Sequence, residues 1–452
     1  MQTTIQMSLL AATSESGFSL DEFVLTLHAV MENEGMAGIA SLVLSVIEER
    51  ICLDLCQDRP GSWRPAESCC PSPCYELAQR RTRQIRTRVG TLQLPWRTLR
   101  CRQCRKTFLP LQQFLGLEAY QRKTNELEQL VVEVVSEQSY RRSTSHLDKI
   151  GSIPVPKSTA HRWVADSDCD AVDTGTDTFA LLFADGTGFK RRPNPKAGVD
   201  NRGEVRIAFG IENTGAIRPL GAWSGVSWEA IAEAVQGRRG EDQPVAETLL
   251  SDGERGLIGG MGRLCDFTNR CHWHASRDLN YVMWKDGASL TERKTHTKQL
   301  AGILAVSLPK EDIEQVSVDD KMALEDAADA AQRSVDQFCG ELFKKGYTEA
   351  WKYVKRMKRS LFDYVRRWLE TGLVTPRAAS LIERMMREIA RRLKRIAHGW
   401  SEPGAAKMTC VILKRFTNPK AWDAYWKNKL RLEGNVLWVL KKIESPPTPL
   451  GR

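Results

Sequence analysis

The chain has 452 residues, which is too long for one compact core and corresponds to about three domains. Hydrophobic residues make up 42% of the chain and charged residues 27%, a balance typical of soluble globular proteins. Lys and Arg outnumber Asp and Glu by 66 to 56, and this net charge of +10 favours a polyanionic partner.

The first residues, MQTTIQMSLL, contain neither a basic region nor a long apolar run, so we expect no secretory signal. No stretch approaches the roughly 18 to 20 apolar residues of a membrane span. We therefore predict a cytoplasmic protein with no membrane partner. The 12 cysteines are interpreted as reduced thiols or metal ligands rather than as a disulfide framework.

Residues 1–51 have the apolar spacing of helices, and residues 52–120 are rich in cysteine, proline and arginine. The second segment includes ten Lys or Arg and no acidic residue between positions 80 and 106. Such a run predicts a local positive surface of the kind that binds nucleic acid.

Four cysteines in this segment have the arrangement of a zinc ribbon. Cys70 and Cys74 are separated by three residues, and Cys101 and Cys104 form a Cys-x2-Cys pair after 26 intervening residues. Between the pairs, VGTLQLPWRTLRC alternates as a β-hairpin does. We predict that these four thiolates hold a structural Zn²⁺, with Cys69 as an alternative to Cys70. Unmetallated thiols are the competing interpretation.

Three helices are predicted in residues 121–168, and the last one, KSTAHRWVAD, follows the break GSIPVP. We expect Ser158 or Thr159 near the N-cap of this third helix. The pattern is that of a helix-turn-helix domain, whose last helix enters the major groove of DNA. A plain three-helix packing module remains the alternative.

Residues 177–290 predict three consecutive strands followed by alternating helices and strands. The first strand, in TFALLFADG, is expected to end at Asp185, and the fourth, in ETLLSDG, at Asp252. This order is that of an RNase H-like α/β sheet, in which the first and fourth strands lie side by side. Asp185 and Asp252 are therefore expected to meet, although they are 67 residues apart.

The remaining chain is predominantly helical in pattern. Residues 291–374 predict an all-helical insertion, which contains the basic and aromatic run WKYVKRMKRSLFDYVRRW. Residues 375–445 return to the core with a long amphipathic helix that carries Glu383, followed by C-terminal helices.

Asp185, Asp252 and Glu383 are candidate ligands of Mg²⁺ or Mn²⁺ in a two-metal phosphoryl-transfer site, which needs carboxylates from several elements. Each has a structural alternative. Asp-Gly is a common turn dipeptide, and Asp252 is also a possible N-cap. Glu383 is at i,i+4 spacing from Arg387, and Glu388 is a rival for the third position.

The stretches FADGTGFK, LLSDGERGL, RCHWH and LIERMMREIARRLKRIAHGW resemble the DDE transposases of bacterial insertion sequences. Among these transposases, the chain resembles the Mutator-like group, which has an all-helical insertion in an RNase H-like core. It extends from Cys70 to about Arg415. It implies that Asp185, Asp252 and Glu383 are catalytic.

The resemblance also concerns Cys271 and His274, which match the Cys-x2-His signature of that group. The signature implies a position close to the active site. The role of Cys271 and His274 is left open between positioning DNA and supporting the local structure. A zinc site that includes His272 and Cys265 is conceivable, but the tight spacing on a predicted strand disfavours it.

Together these features predict an α/β protein with an RNase H-like catalytic core and a large all-α insertion, preceded by a zinc-ribbon-like module and a helix-turn-helix domain. We expect a nucleoid-associated transposase, dimeric or larger, that binds the terminal inverted repeats of its element and target double-stranded DNA. A DNA-binding regulator and an RNase H-like nuclease are the alternatives. The candidate DNA-binding residues are Arg83, Arg86, Arg88, Lys157, Ser158, Thr159, His161, Arg162, Lys352, Lys355, Arg356, Arg387 and Arg391.

Overall fold

The computed structural model describes residues 19–31, 35–151, 153–167, 178–192, 201–239, 243–395, 399–433 and 436. The described residues are 55% helical and 19% strand, a mixed α/β protein. The stretch 168–177, where a domain boundary was predicted, lies outside the described residues. None of the described helices is long and apolar enough to cross a membrane.

Sixteen α-helices are found among the described residues. They are α1 (Leu20–Val30), α2 (Met36–Cys56), α3 (Pro110–Phe114), α4 (Asn125–Glu137), α5 (Tyr140–Gly151), α6 (Lys157–Asp166), α7 (Trp228–Arg239), α8 (Arg255–Met261), α9 (His272–Lys285), α10 (Leu290–Ile303), α11 (Val318–Lys344), α12 (Thr348–Met357), α13 (Asp363–Thr371), α14 (Ser380–Lys394), α15 (Glu402–Thr417) and α16 (Pro419–Leu430).

The strands form two sheets. They are β1 (Tyr75–Thr87), β2 (Gly90–Cys101), β3 (Thr107–Phe108), β4 (Phe179–Lys190), β5 (Arg202–Ile211), β6 (Ile217–Ser224), β7 (Ala246–Ser251) and β8 (Cys265–Arg270). The first sheet has the order β1-β2-β3, and the second has the order β6-β5-β4-β7-β8.

The chain divides into two compact units. The first consists of Met1–Glu133, Thr144–Val155 and Lys420–Arg452, and the second of Val134–Ser143 and Pro156–Pro419. The two sheets fall in different units. The predicted boundary between residues 51 and 52 lies inside α2.

The first unit is built on a long β1-β2 hairpin. Its two strands pair from Tyr75 opposite Cys101 to Thr87 opposite Gly90. The stretch predicted to be a hairpin by itself is therefore one strand, and its partner is the arginine-rich segment before it. A core around Leu94 and Trp96 packs under α2, which leaves the basic middle of β1 exposed.

All three helices predicted for residues 121–168 are present as α4, α5 and α6. The N-cap of α6 is Pro156, without a side-chain cap, rather than Ser158 or Thr159. Proline fixes φ near the value that opens a helix, so it can begin α6 without a hydroxyl cap. The two units divide this helical segment, and its helix-turn-helix assignment stays a prediction.

The second unit contains the five-stranded sheet. Strand β4 lies in the middle, antiparallel to β5 and parallel to β7. Strands β5 and β6 are antiparallel, and β7 and β8 are parallel. The predicted neighbour relation between the first and fourth strands is confirmed by the pairing of Phe183 with Leu250.

Helices cover this sheet on both faces. Leu182 and Ala184 of β4 belong to a core with α7 and α8, which includes Trp228 and Leu257. Because side chains alternate along a strand, Asp185 belongs to the opposite face of β4. Helix α14 packs against β4, and α15 against β5 and β6.

Two local predictions near the acidic residues are corrected. Strand β4 does not end at Asp185; it continues to Lys190 because β5 pairs with it along that length. Strand β8 ends at Arg270, and His272 and His274 are in the first turn of α9 rather than on a strand.

Residues 291–374 form the predicted helical layer, with α10 to α13 around a shared apolar core that also includes Leu279 and Met283 of α9. Arg367 of α13 links this layer to the sheet. Its guanidinium donates to the carbonyl of Ala180, at 2.9 Å, and to the carboxylate of Glu247, at 2.7 Å. It also donates to the hydroxyl of Thr375, at 2.7 Å.

Candidate active site and metal centre

Four cysteines in the first unit come together where the β1-β2 hairpin opens. The sulfur atoms of Cys69, Cys70, Cys101 and Cys104 all lie within 4.8 Å of one another. The Cys70 and Cys101 sulfurs are 3.6 Å apart, close to the separation of about 3.8 Å that tetrahedral zinc with 2.3 Å bonds requires. The donor set therefore fits a structural Zn²⁺.

The fourth ligand differs from the prediction, because Cys69 occupies the place given to Cys74. Cys74 immediately precedes β1 and is exposed, and its thiol is not part of the cluster. Only the backbone of Cys74 is engaged there: its carbonyl accepts the amide of Arg102 at 2.7 Å. The predicted Cys-x3-Cys pair is therefore replaced by two adjacent cysteines.

The cluster favours an ionised thiol at Cys101. The pKa of Cys101 is lowered to about 6, mainly by the backbone amide of Cys104 and further by those of Cys74 and Gln103. Burial raises the pKa of Cys70 to about 12, and its thiol neighbours Cys101 and Cys69 add to this. Thiolate is the form that binds zinc, so the lowered pKa of Cys101 favours its role as a ligand.

In the second unit, the three predicted acidic residues approach one another from three elements. Asp185 lies on β4 just beyond the part that pairs with β7, Asp252 directly follows β7, and Glu383 is in the first turn of α14. Since β7 is parallel to β4 and α14 packs against β4, the fold directs all three toward the same edge of the sheet.

Each aspartate also makes a local backbone contact. Asp185 Oδ1 accepts the amide of Gly186 at 2.7 Å, and Asp252 Oδ1 accepts the amide of Glu254 at 2.9 Å. The Asp252 contact is that of an Asx turn, whereas the Asp185 contact lies within β4. They use one oxygen of each carboxylate and leave the second oxygen for a ligand.

Electrostatics confirm that the acidic groups influence one another. The pKa of Asp185 is raised to about 7, first by burial and then by the charges of Asp252, Glu383 and Glu254. Such like-charge crowding is typical of sites that hold a cation or act in catalysis.

Glu383 does not pair with Arg387, the structural alternative considered from the sequence. Its Oε1 instead lies 2.9 Å from Nε2 of His274. This Oε1 atom is buried and has no hydrogen-bond partner. The rival Glu388 is engaged elsewhere, 2.8 Å from Arg391.

Among the described residues, the four cysteines are the set whose ligand atoms all lie within 4.8 Å of one another, so the three carboxylates are more widely spaced. Two Mg²⁺ ions about 3.5 to 4 Å apart need ligands spread over both ions. The oxygen donors, the unpartnered Glu383 Oε1 and the raised pKa of Asp185 fit a divalent cation such as Mg²⁺ or Mn²⁺.

Cys271 and His274 fasten α9 to α14. The sulfur of Cys271, which is 1% exposed, accepts the amide of Ala379 at 3.3 Å, directly before α14 begins. The amide of Cys271 donates to the carbonyl of Ser251 at 2.9 Å, next to Asp252. One cysteine therefore contacts the segments that carry Asp252 and Glu383, and His274 lies against Glu383 itself. The Cys-x2-His spacing was the sequence signal for this contact.

Buried Arg270 was not singled out from the sequence. It packs on Gly253, whose φ is +86°, so closely that an added Cβ would lie 1.1 Å from Arg270 Nη1. Its guanidinium also donates to the hydroxyl of Tyr353 in α12, at 2.9 Å. This contact connects the helical layer to the turn that carries Asp252.

The candidate DNA-binding residues fall on four elements. On β1 and its turn, Arg86 and Arg88 are exposed, whereas Arg83 is half-buried with its guanidinium 4.6 Å from the Trp96 ring centre. On α6, Lys157, Ser158, His161 and Arg162 are exposed, and Thr159 is half-buried.

The other two elements are α12 and α14. Lys352 and Arg356 are exposed on α12, and Lys355 lies 4.8 Å from the Trp351 ring centre. On α14, Arg387 is exposed, but Arg391 is held between Glu137 and Glu388, at 2.9 and 2.8 Å. Arg391 is therefore the weakest of these candidates.

No protein-family model matches this chain, and no curated protein sequence matches it.

Proposed function

We propose that this protein is a DDE transposase that cuts DNA at the ends of an insertion sequence and joins the freed 3′-hydroxyl to target DNA. The observation that carries the proposal is the mutual electrostatic influence of Asp185, Asp252 and Glu383, which come from two strands and a helix. Phosphoryl transfer needs such convergent carboxylates more than any other side chain.

The strand order of the larger sheet supports an RNase H-like core. Three antiparallel strands are followed by two parallel ones, and the fourth strand lies beside the first. Helical residues 291–374 occupy the place of an insertion between the second and third acids. This arrangement is the one that the resemblance to Mutator-like transposases implies.

Asp185, Asp252 and Glu383 would hold Mg²⁺ or Mn²⁺, which supplies activation of the attacking oxygen and stabilisation of the leaving oxygen. The protein's own contribution is placement. Strands β4 and β7 fix the two aspartates, and contacts from Cys271 and His274 fix the start of α14 and hence Glu383.

DNA binding is assigned to the basic surfaces. Exposed arginines of β1 and the exposed face of α6 are suited to contact phosphates and base edges of the terminal repeats, and the basic residues of α12 to grip phosphates of any sequence. The cysteine cluster would hold zinc and keep the arginine-bearing hairpin in shape. Both ends of an element must be held together, so the active form is a dimer or a larger assembly.

The test uses duplexes that carry the genomic sequence on either side of the reading frame, incubated with the full-length protein and Mg²⁺. We expect strand cleavage and joining by the parent, and a loss of at least about 100-fold in Asp185→Asn, Asp252→Asn and Glu383→Gln. The matched control is Glu388→Gln on the same helix, which should retain activity.

Three outcomes would contradict the proposal in different ways. Full activity of Glu383→Gln would remove Glu383 as the third ligand. Specific binding of the end duplexes without cleavage in any divalent metal would favour a DNA-binding regulator. Cleavage of branched or RNA–DNA hybrid substrates without preference for the end duplexes would favour a nuclease.

A further inference from the structure

Helix α9 carries large aromatic side chains on its outer face. Trp273, Tyr281 and Trp284 are 52%, 62% and 64% exposed, respectively. The opposite face of α9 packs into the protein, because Leu279 and Met283 are buried in the helical core. Exposed aromatic groups in one row on a single helix are unusual for a protein surface and mark interaction sites.

The exposed residues form one continuous row. Positions 273, 277, 281 and 284 follow the i, i+4, i+8, i+11 spacing of a single helix face. They extend about 16 Å along the helix axis. We call Trp273, Arg277, Tyr281 and Trp284 the aromatic stripe. Within it, the Arg277 guanidinium lies 4.8 Å from the Trp273 ring centre.

The stripe begins at the candidate active site. The ring of Trp273 meets that of His274 edge-on, with ring centres 4.8 Å apart. His274 in turn lies 2.9 Å from Glu383. A strand whose phosphodiester lay at the acidic residues would therefore have its neighbouring nucleotides beside Trp273.

Acidic residues next to the stripe are already engaged within the protein. Asp278 accepts a hydrogen bond from Arg277 at 2.7 Å, and Asp286 accepts the amides of Glu349 and Ala350 at 3.0 and 2.8 Å. Their interactions reduce the repulsion that a nucleic-acid backbone would meet along this face.

We propose that the aromatic stripe stacks unpaired bases of the DNA strand adjacent to the bond that is cut. The proposal rests on the proposed function. Flat aromatic faces and a stacked arginine suit any base, because every base has a π-face. Paired bases in a duplex are already stacked on their neighbours, so the stripe selects an unpaired strand. Its length of about 16 Å matches about five stacked nucleotides at 3.4 Å each.

The first experiment measures binding alone, so that it does not depend on catalysis. A short fluorescein-labelled oligothymidylate is titrated with the full-length protein in EDTA, and affinity is read from anisotropy. We expect Trp273→Ala and Trp284→Ala each to weaken binding about 5- to 100-fold. Trp284→Phe should retain most of the affinity, because it keeps an aromatic face.

The matched control is Phe343→Ala on α11, since Phe343 is also 62% exposed but lies outside the stripe. It should leave the affinity unchanged. An equal loss in Phe343→Ala, or parent-like affinity in both tryptophan variants, would overturn the proposal. So would a stripe variant that dissociates an oligomer in sedimentation while it keeps its oligothymidylate affinity, because the stripe would then be a subunit interface.

A second experiment locates the bases. The end duplex carries 2-aminopurine beside the cut position, and a fluorescence change reports altered base stacking on binding. We expect a change with the parent that Trp273→Ala abolishes. If the stripe binds oligothymidylate but the parent never cuts end DNA, the proposed function fails and the stripe stands. If the parent cuts and the stripe variants bind normally, the stripe alone fails.

Discussion

Asp185 carries an ionisation penalty that arises from its surroundings. Its carboxylate is largely buried, and Asp252, Glu383 and Glu254 surround it with negative charge. In the absence of a metal, the folded protein therefore binds a proton at Asp185 more tightly than the unfolded chain does.

This shift predicts a pH-dependent effect of Asp185→Asn in EDTA. The folded pKa is about 7 and the ordinary value is 3.8, so the stability that Asp185 contributes is fully present below pH 3.8 and is lost as pH rises through 7. At pH 8 the amide variant should be more stable by about 1 to 3 kcal/mol, less than the full shift implies because water screens the site.

Calorimetric unfolding at several pH values measures this difference, which should vanish toward pH 4. Added Mg²⁺ should stabilise the parent and not the variant, because it binds the ionised carboxylates. Parallel pH profiles of parent and variant would contradict the assigned environment of Asp185.

Cys271 predicts a difference between two conservative substitutions. Cys271→Ala removes the acceptor of the buried Ala379 amide and should lower the free energy of unfolding by about 1 to 3 kcal/mol. Cleavage should fall with it, because α14 carries Glu383. Cys271→Ser keeps an acceptor and should retain most of both.

The control for this pair is Cys339→Ala, which removes a buried thiol from α11. It should reduce stability through lost packing but spare the cleavage rate per folded molecule. Equal cleavage by Cys271→Ala and Cys271→Ser, measured at matched folded fraction, would show that the sulfur contact does not position α14.

At the scale of elements, α8 holds the segment after Asp252 against α7. An added Cβ on Gly260 would lie 2.6 Å from the backbone of Trp228, whereas one on Gly259 would meet nothing within 4 Å. Trp228 also donates its indole N–H to Glu254, at 3.1 Å. The close approach of the two helices therefore depends on one of two adjacent glycines.

We expect Gly260→Ala to lower the free energy of unfolding by about 1 to 3 kcal/mol, because the methyl group pushes α8 away from α7. Gly259→Ala should instead raise it by about 0.5 to 1 kcal/mol through helix propensity. Chemical denaturation of both variants checks the opposite signs. Equal losses of stability in the two variants would mean that the contact between Gly260 and Trp228 is not the reason why α8 tolerates no substitution.

The cysteine cluster of the first unit is the second feature with a distinct prediction. The parent should contain one zinc per chain by mass spectrometry of the metal, and Cys69→Ser and Cys101→Ser should lose it because three thiolates hold zinc poorly. Cys74→Ser should retain zinc, since its thiol faces outward. Zinc loss in Cys74→Ser together with retention in Cys69→Ser would restore the pairing predicted from the sequence.

At the scale of the whole second unit, Arg367 ties the helical layer to the sheet. Its guanidinium is fully buried and contacts both β4 and β7, the strands that place the two aspartates. A buried arginine of this kind leaves an unpaired carboxylate and carbonyl when it is removed.

Arg367→Ala should lower the free energy of unfolding by about 3 to 5 kcal/mol, and Arg367→Lys should not rescue it because an ammonium cannot reproduce the fork of donors. The adjacent Arg366, which is 62% exposed, provides the control: Arg366→Ala should change stability by less than about 0.5 kcal/mol. Urea titration measures both. Similar small effects of the two variants would show that the layer is held by its apolar core alone.

Sequence patterns determined the elements of this protein because strand and helix periods are local properties. The apolar run of β4 and the helices of residues 291–374 follow from spacing and turn residues, whereas the choice of Asp185, Asp252 and Glu383 also drew on the family resemblance. The Cys-x2-His signature pointed to Cys271 and His274, but no local pattern reveals that a thiol accepts an amide 108 residues away.

Tertiary structure decided where those local features meet. Cys74 is exposed just before β1 begins, and Cys69 completes the cluster instead. Pairing with β5 extended β4 beyond Asp185. The close approach of His274 to Glu383 and the burial of Arg270 depend on the packing of α9 against the helical layer. These outcomes depend on contacts between segments far apart in the chain, so only the packed fold could determine them.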